Sequence, residues 1–302
     1  MATATTMTQG AKARPAFSHS LRRARDYLPV VPFFLFAALF LFAPAASIAI
    51  RSFTDNTTGA FTLQNVLNLS RPSIVSAYSI SIRISAATAV IGLLFGFLMS
   101  YAITLGGLRG APRAALLTFC GVASNFAGVP LAFAFVATLG RLGLITVLLK
   151  NLGIDLYGNG FSLYTFVGLS IVYLYFQLPL AVLILTPALD GLKQSWREAC
   201  ENLGGSTWDY WRHVALPVLT PALLGLLLLL FGNAFGAYAT AYALTSGQIN
   251  LVSMVIGQQI SGDALQDPGL GNALALGMIV IMTICITAYT LLQRRASRWL
   301  RS

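Results

Sequence analysis

Residues 196–219 read WREACENLGGSTWDYWRHVALPVL, and the stretch is unlike the chain around it. Charged residues make up 9% of the 302, yet Asp190, Lys193, Arg197, Glu198, Glu201, Asp209 and Arg212 crowd between positions 190 and 217, with Gly204 and Gly205 among them. Four of the nine acids sit in this one loop, so the segments on either side are nearly free of charge.

Those segments are apolar. Hydrophobic residues are 57% of the chain and the mean hydropathy is +0.76. A soluble domain of this length carries such a composition only by exposing a large apolar surface, whereas a polytopic membrane protein carries it naturally. A helix needs about 20 apolar residues to cross the hydrocarbon core. Six segments reach that length, at about 29–50, 84–105, 114–139, 161–187, 218–243 and 272–292. The expected fold class is therefore an all-α polytopic membrane protein: a transmembrane domain over 29–293, an N-terminal tail at 1–28, a C-terminal tail at 294–302 and a charged loop at 190–217.

With those spans, fourteen of the 19 Lys and Arg residues fall on one side: five in the N-terminal tail, Arg109 and Arg113, Lys193, Arg197 and Arg212, and four in the C-terminal tail. Arg51, Arg71, Arg141 and Lys150 fall on the other, with Arg83 at a span edge. Positive charge is retained in the cytoplasm, so both termini and the loop at 190–217 are assigned to the cytoplasmic side of the membrane. The first apolar run ends near APAAS, as a signal peptide would, but it is too long for one and its cleavage would leave an odd number of spans; it is read as a retained span. The same asymmetry accounts for the net charge of +10 without nucleic acid, because no basic stripe with interleaved aromatics lies outside the tails.

All nine acids, Asp26, Asp55, Asp155, Asp190, Glu198, Glu201, Asp209, Asp263 and Asp267, fall outside the six cores. A transporter driven by protons or sodium usually keeps an ionisable group at membrane depth, and none is visible. No GKS or GKT, the end of a phosphate-cradling loop, occurs either. Uphill transport by this chain needs energy from a partner. Cys120, Cys200 and Cys285 are scattered, and His19 and His213 stand alone, so neither a metal site nor a catalytic constellation is expected. Arg83 either snorkels to the headgroups or lines a pathway. Asn125, Gln177, Asn233, Tyr238 and Tyr242 either bond helix to helix or touch a solute.

Within the loop, Ser195 precedes Glu198 by three residues and Ser206 precedes Asp209 by three, the spacing of a capping box. Two short helices are predicted, at about 196–203 and 207–214, turning at Gly204 and Gly205. Pro217 is expected to stop the second and begin the fifth span. Ala199, Leu203 and Trp196 share one face of the first helix. The hairpin either rests on headgroups through Trp208, Tyr210 and Trp211 or docks into a protein groove.

EACENLGGSTWDYWRHVALP resembles the EAA loop of permease subunits of bacterial ABC importers: Glu198, Ala199, a small residue at Cys200, Gly204 after three residues, and Val214, Leu216 and Pro217 nine residues on. Cys200 is the one departure, standing where alanine is usual. The likeness extends loosely over residues 75–292. It implies the type I importer fold, five core spans with one added at the N-terminus. It also implies that the loop is a coupling helix seated in a cleft of a separate ATP-binding cassette ATPase. Glu198, Ala199, Cys200 and Gly204 then make the contact, Leu203 packs beside them, and Pro217 leads into the fifth span. By the same resemblance ATP and Mg are bound by that ATPase, so this chain has no cofactor and is not an enzyme. A second permease subunit and an extracytoplasmic solute-binding protein complete the transporter.

The resemblance also places the translocation pathway on the third and fifth spans, with Asn125, Asn233, Tyr238, Thr240 and Tyr242 as candidates and Gly232 and Gly236 loosening the fifth. ENLGGS is closer to the wording of permeases for polyamines, phosphonates, ferric iron, thiamine and inorganic anions than to the IDGA of sugar permeases. The expected solute is polyamine-like or another small charged organic compound. A sugar permease of the same fold and a stand-alone secondary transporter or channel are the alternatives.

Overall fold

The computed structural model describes residues 30–261 and 267–298, without side chains at 261 and 295–298. The N-terminal tail, the last four residues and Asp263 lie outside them. Eleven helices carry the description that follows. They are α1 (Val31–Arg51), α2 (Pro72–Leu105), α3 (Ala111–Asn125), α4 (Gly128–Leu139), α5 (Leu144–Asn151) and α6 (Phe166–Asp190). Beyond these come α7 (Gln194–Asn202), α8 (Thr207–Phe235), α9 (Tyr238–Thr245), α10 (Val252–Ser261) and α11 (Pro268–Arg298). Among the described residues the β pairing is a single bridge, Thr54 to Phe61.

Among the described residues, six segments are long and apolar enough to cross a membrane: α1, α2, Gly128–Asn151, α6, α8 and Pro268–Arg294. Their number matches the sequence reading and several of their limits do not. Residues 30–50 belong to a unit separate from the rest, and α1 is described by itself. It contains a π-turn at Ala38–Phe42, in which the Ala43 N–H reaches back to the Ala38 carbonyl, just before Pro44. A proline lacks the N–H of the regular ladder and its ring crowds the carbonyl four residues back; widening the turn before it relieves the crowding.

The same device recurs before Pro217. Trp211–Ala215 is a π-turn closed by the Leu216 N–H on the Trp211 carbonyl. Pro217 therefore does not stop the second short helix as expected, and α8 runs unbroken from Thr207 to Phe235. The fifth span instead ends at Gly236, short of the expected 243.

Helix α2 begins at Pro72 rather than near 84, because its polar first turns are held by protein rather than lipid. Tyr78 donates its hydroxyl to the Leu274 carbonyl at 2.5 Å, and the Ser81 hydroxyl accepts the Val252 N–H at 2.9 Å. Arg83 consequently lies inside the helix and not at its end. It is exposed and about 33 Å along the axis from Leu105 at 1.5 Å per residue, close to the thickness of the hydrocarbon core, which leaves headgroups within its reach.

The centre of the bundle is α2 against α6 and α8. Ala89, Ala181, Leu185, Leu226 and Leu230 form one buried cluster. Gly92 and Gly96 on α2 are the small pair, four apart, that lets two membrane helices approach closely. A side chain on Gly96 would stand 2.3 Å from the Ala181 Cβ. Arg113, in the first turn of α3, pairs with Asp190, the last residue of α6, and marks one end of the bundle.

At the other end the Thr54–Phe61 turn is organised by Asp55. Its carboxylate accepts the Thr57 hydroxyl at 2.5 Å and the N–H groups of Thr57 and Thr58 at 2.8 and 2.9 Å. These bonds, the Thr57 hydroxyl foremost, hold the carboxyl well below the usual carboxylate range. A depressed value means stabilisation that is complete above the ordinary 3.8 and is lost as the pH falls through the lowered one. Amide exchange over residues 54–61 should be faster in Asp55→Asn than in the wild type at neutral pH. The difference should persist to 3.8 and close only at more acidic pH; a difference that closes above pH 3.8 contradicts the assignment.

Candidate functional site

Two features stand out, a hairpin at the Arg113–Asp190 end and a pair of helix breaks inside the membrane-crossing region. The hairpin is α7, a turn and the start of α8. Helix α7 closes in a Schellman motif: the Gly205 N–H reaches the Cys200 carbonyl at 2.9 Å and the Gly204 N–H the Glu201 carbonyl at 3.0 Å. Gly204 sits at φ +81°, the left-handed region that glycine enters without cost. Gly205 is bare for another reason, since a Cβ there would meet the Cys200 sulfur at 2.6 Å. On the far side Ser206 and Asp209 form the expected capping box, with the Ser206 N–H on Asp209 at 2.9 Å and the Asp209 N–H on the Ser206 hydroxyl at 3.2 Å.

The box expected at Ser195 is absent. Helix α7 starts two residues earlier than expected, with Lys193 as an N-cap that makes no side-chain cap. Glu198 instead takes the Gln194 amide at 2.9 Å and Glu201 takes Arg197 at 2.9 Å, pairs one helical turn apart. Gln194, Arg197, Glu198 and Glu201 face a cavity of about 640 Å³ that the ends of α2 and α6 also line. Ala199 lies on the opposite face, and Leu203 just beyond it is 89% exposed. Of the three aromatics that would anchor the hairpin if it rested on headgroups, Trp208 is open, but Tyr210 is buried and Trp211 packs on Tyr101 and Phe97.

The second feature is a pair of breaks. The third span, expected as one helix over 114–139, divides into α3 and α4 at Phe126–Ala127, with Gly128 at φ +73°. The fifth divides into α8 and α9 at Gly236–Ala237. The breaks lie side by side: the Gly128 N–H bonds the Thr240 hydroxyl at 2.8 Å, and Tyr173 of α6 donates to the Ala237 carbonyl at 2.9 Å. Backbone groups freed by the breaks thus find partners, as irregular backbone within a membrane must.

Among the candidate pathway residues, Asn125, Asn233, Tyr238 and Tyr242 are exposed at these breaks. The two tyrosine rings stack at 5.4 Å with 20° between planes. Thr240 is buried and serves as the clamp on Gly128, not as lining. Gln177 is fully buried and binds Thr88 and the Leu230 carbonyl, both at 3.3 Å, which is a bond between helices. Neither 114–139 nor 216–245 contains an ionisable Asp, Glu, Lys, Arg or His. Tyr173, in its apolar setting, carries no signal in the sequence. Gly92 and Gly96 carry one in their spacing of four.

A helical bundle of membrane-crossing length, broken twice at one level and carrying a stiff hairpin at one end, defines a membrane permease. Residues 102–302 match the family of the binding-protein-dependent transport system inner membrane component, and the chain belongs to that family. It is 28% identical over 187 residues to the thiamine transport system permease of Escherichia coli K12, covering 62% of this chain and 33% of that one, so it spans about a third of that relative. It is 28% identical over 226 residues to a probable sulfate transport system permease of Chlorella vulgaris, covering 73% and 78%. It is 25% identical over 228 residues to the spermidine/putrescine permease of Haemophilus influenzae, covering 76% and 78%. A chain of a solved bacterial ABC transporter that imports alginate has the same fold, with a TM-score of 0.69 at 15% identity over 93% of this chain and 98% of that one.

Proposed function

We propose that this chain is the membrane-spanning subunit of an ATP-driven importer, and that its solute is a small organic cation of polyamine-like character. The observation that carries the first part is the hairpin: a knob fixed by a Schellman turn and a capping box, presenting Leu203 and Ala199, and continuous with α8. A separate ATPase that binds ATP and Mg grips this knob on the cytoplasmic side, with Cys200 and Gly204 shaping it and Pro217 inside the helix that carries its motion. Glu198 lies on the cavity side, so the apolar face of α7 makes the primary contact. A second permease subunit faces Tyr238 and Tyr242 across the pathway, and a binding protein delivers solute at the opposite end.

The solute follows from the breaks. Stacked, exposed tyrosines offer ring faces to a cation, and neither span contains a cationic side chain to pair with an anion such as sulfate. The relatives' names do not choose between these, being thiamine, sulfate and spermidine/putrescine. With ATPase and binding protein reconstituted in proteoliposomes, uptake of putrescine should depend on ATP, and Tyr242→Ala should lower it roughly tenfold, the loss of one cation–π contact, while ATP hydrolysis persists. ATP-dependent uptake of sulfate but of no amine would overturn the solute and leave the importer standing. Flux without ATPase would overturn both.

A further inference from the structure

Helix α5 is inside out. Thr146, its one hydroxyl residue, is 4% exposed, and its Oγ1 meets no hydrogen-bond partner. Leu144 and Leu148 are 75% and 59% exposed, and Leu142 and Leu152 continue the apolar face past both ends. In water such a helix is doubly unfavourable, with leucines left wet and a hydroxyl stripped of its hydration. An apolar surrounding removes the first penalty.

The position of α5 says which surrounding. Helix α4 runs from the pathway break to Leu139, at the end of the bundle opposite the Arg113–Asp190 pair, and α5 turns off it there. The turn is fixed: a Cβ on Gly143 would lie 2.5 Å from the Thr138 carbonyl. Tyr157 donates to the Leu139 carbonyl at 3.0 Å and lies under the Arg141 guanidinium at 5.7 Å. At the other end of α5, Lys150 is exposed and 4.0 Å from Asp155. A leucine face flanked by cations, beside the point where a crossing helix leaves the hydrocarbon, is the pattern of a helix lying in the interface, with charge complementary to anionic headgroups.

We propose that Leu144–Asn151, although it is the end of the apolar segment Gly128–Asn151, lies in the plane of the membrane, Leu144 and Leu148 in the acyl-chain boundary and Arg141 and Lys150 among anionic lipid headgroups, the third crossing being made by α3 and α4 together. This holds whatever the solute is, and borrows from the proposed function only the assignment of that face as the outer one. Because α4 starts at the pathway break and ends at this lipid-held corner, the break is tethered to the bilayer surface.

Spin labels test this on the full chain. Cys120, Cys200 and Cys285 are replaced by alanine, and Leu144→Cys, Leu148→Cys and, as a water reference, Gly59→Cys are labelled in proteoliposomes of phosphatidylethanolamine and phosphatidylglycerol. At 144 and 148 the label should be reached several-fold better by oxygen than by a water-soluble nickel chelate, with the reverse at 59. Preference for the nickel chelate at 144 and 148 means water and overturns the proposal. Protection from both reagents means cover by protein, a second permease or the binding protein, and overturns it equally. Should the cysteine-free chain not fold, Leu148→Trp in the otherwise unaltered protein serves instead. Lipids brominated near the headgroup should then quench its added emission more than lipids brominated at the chain ends, and equal or absent quenching counts against the proposal.

Discussion

Gly96→Leu is expected to yield no monodisperse protein from detergent extracts, the largest effect of any single change in the bundle. The reason is distance: even a methyl at position 96 would stand 2.3 Å from the Ala181 Cβ, so α2 and α6 must separate before any side chain fits. Overpacking a tight contact costs about 1–3 kcal/mol, and leucine adds three more carbons than the methyl already excluded. Gly96→Ala is the informative variant, with a lowered melting temperature in detergent. Ala181→Gly removes the opposing methyl, at a cost of about 1 kcal/mol for a glycine within a helix. Gly96→Ala with Ala181→Gly should melt above Gly96→Ala alone, because the clash vanishes from the pair. A double variant that melts below both singles would show that the two helices do not meet at these residues.

Gly204 yields the second large effect, of a different kind. Nothing lies within 4 Å of a Cβ at this position, so substitution causes no clash within the chain. What it meets is the backbone angle of +81°, which costs an L-residue about 1–2 kcal/mol and a β-branched residue more. Gly204→Val should insert normally and melt like the wild type, because the turn is peripheral. Reconstituted with the ATPase, it should lose about tenfold or more in uptake as the turn, and with it the position of Leu203, shifts. Gly204→Asn tolerates the left-handed region and should keep most of the uptake. Unchanged uptake in Gly204→Val would remove the hairpin from coupling. Equal loss in valine and asparagine variants would assign the defect to contact with the partner, not to the turn.

How much of this was legible in the sequence differs from element to element. The six crossings and the hairpin were, since apolar length and the residues SxxD and GG act locally. The start of α2 was not, because Tyr78 and Ser81 are held by Leu274 and Val252, far away in sequence. Pro217 was misread for a related reason: a proline ends a regular turn, but a π-turn absorbs it, and nothing in the residue names announces that choice. The breaks were half visible. Gly232 and Gly236 pointed to a loosened fifth span, and the matching break at Phe126–Ala127 had its own mark in Pro130, which lacks the N–H that would meet the Phe126 carbonyl; that it is held by Thr240 receiving the Gly128 N–H was not legible. Within the candidate pathway, Asn233, Tyr238 and Tyr242 could be picked out as polar groups at depth, while the burial of Thr240 and Gln177 between helices depended on packing.

The π-turn before Pro217 has a mechanical consequence. Had the proline broken the chain there, a push on the hairpin would have been absorbed at a joint. Instead Thr207–Phe235 is a continuous helical rod, about 43 Å long at 1.5 Å per residue, whose places to bend are the π-turn, Pro217 and Pro221, with the knob at one end and the Gly236 break at the other. Tilting such a rod by about 5° about its knob end carries the far end through about 4 Å, close to the width of a peptide group. Small angles at the gripped end thus become ångströms where Tyr238 and Tyr242 stand.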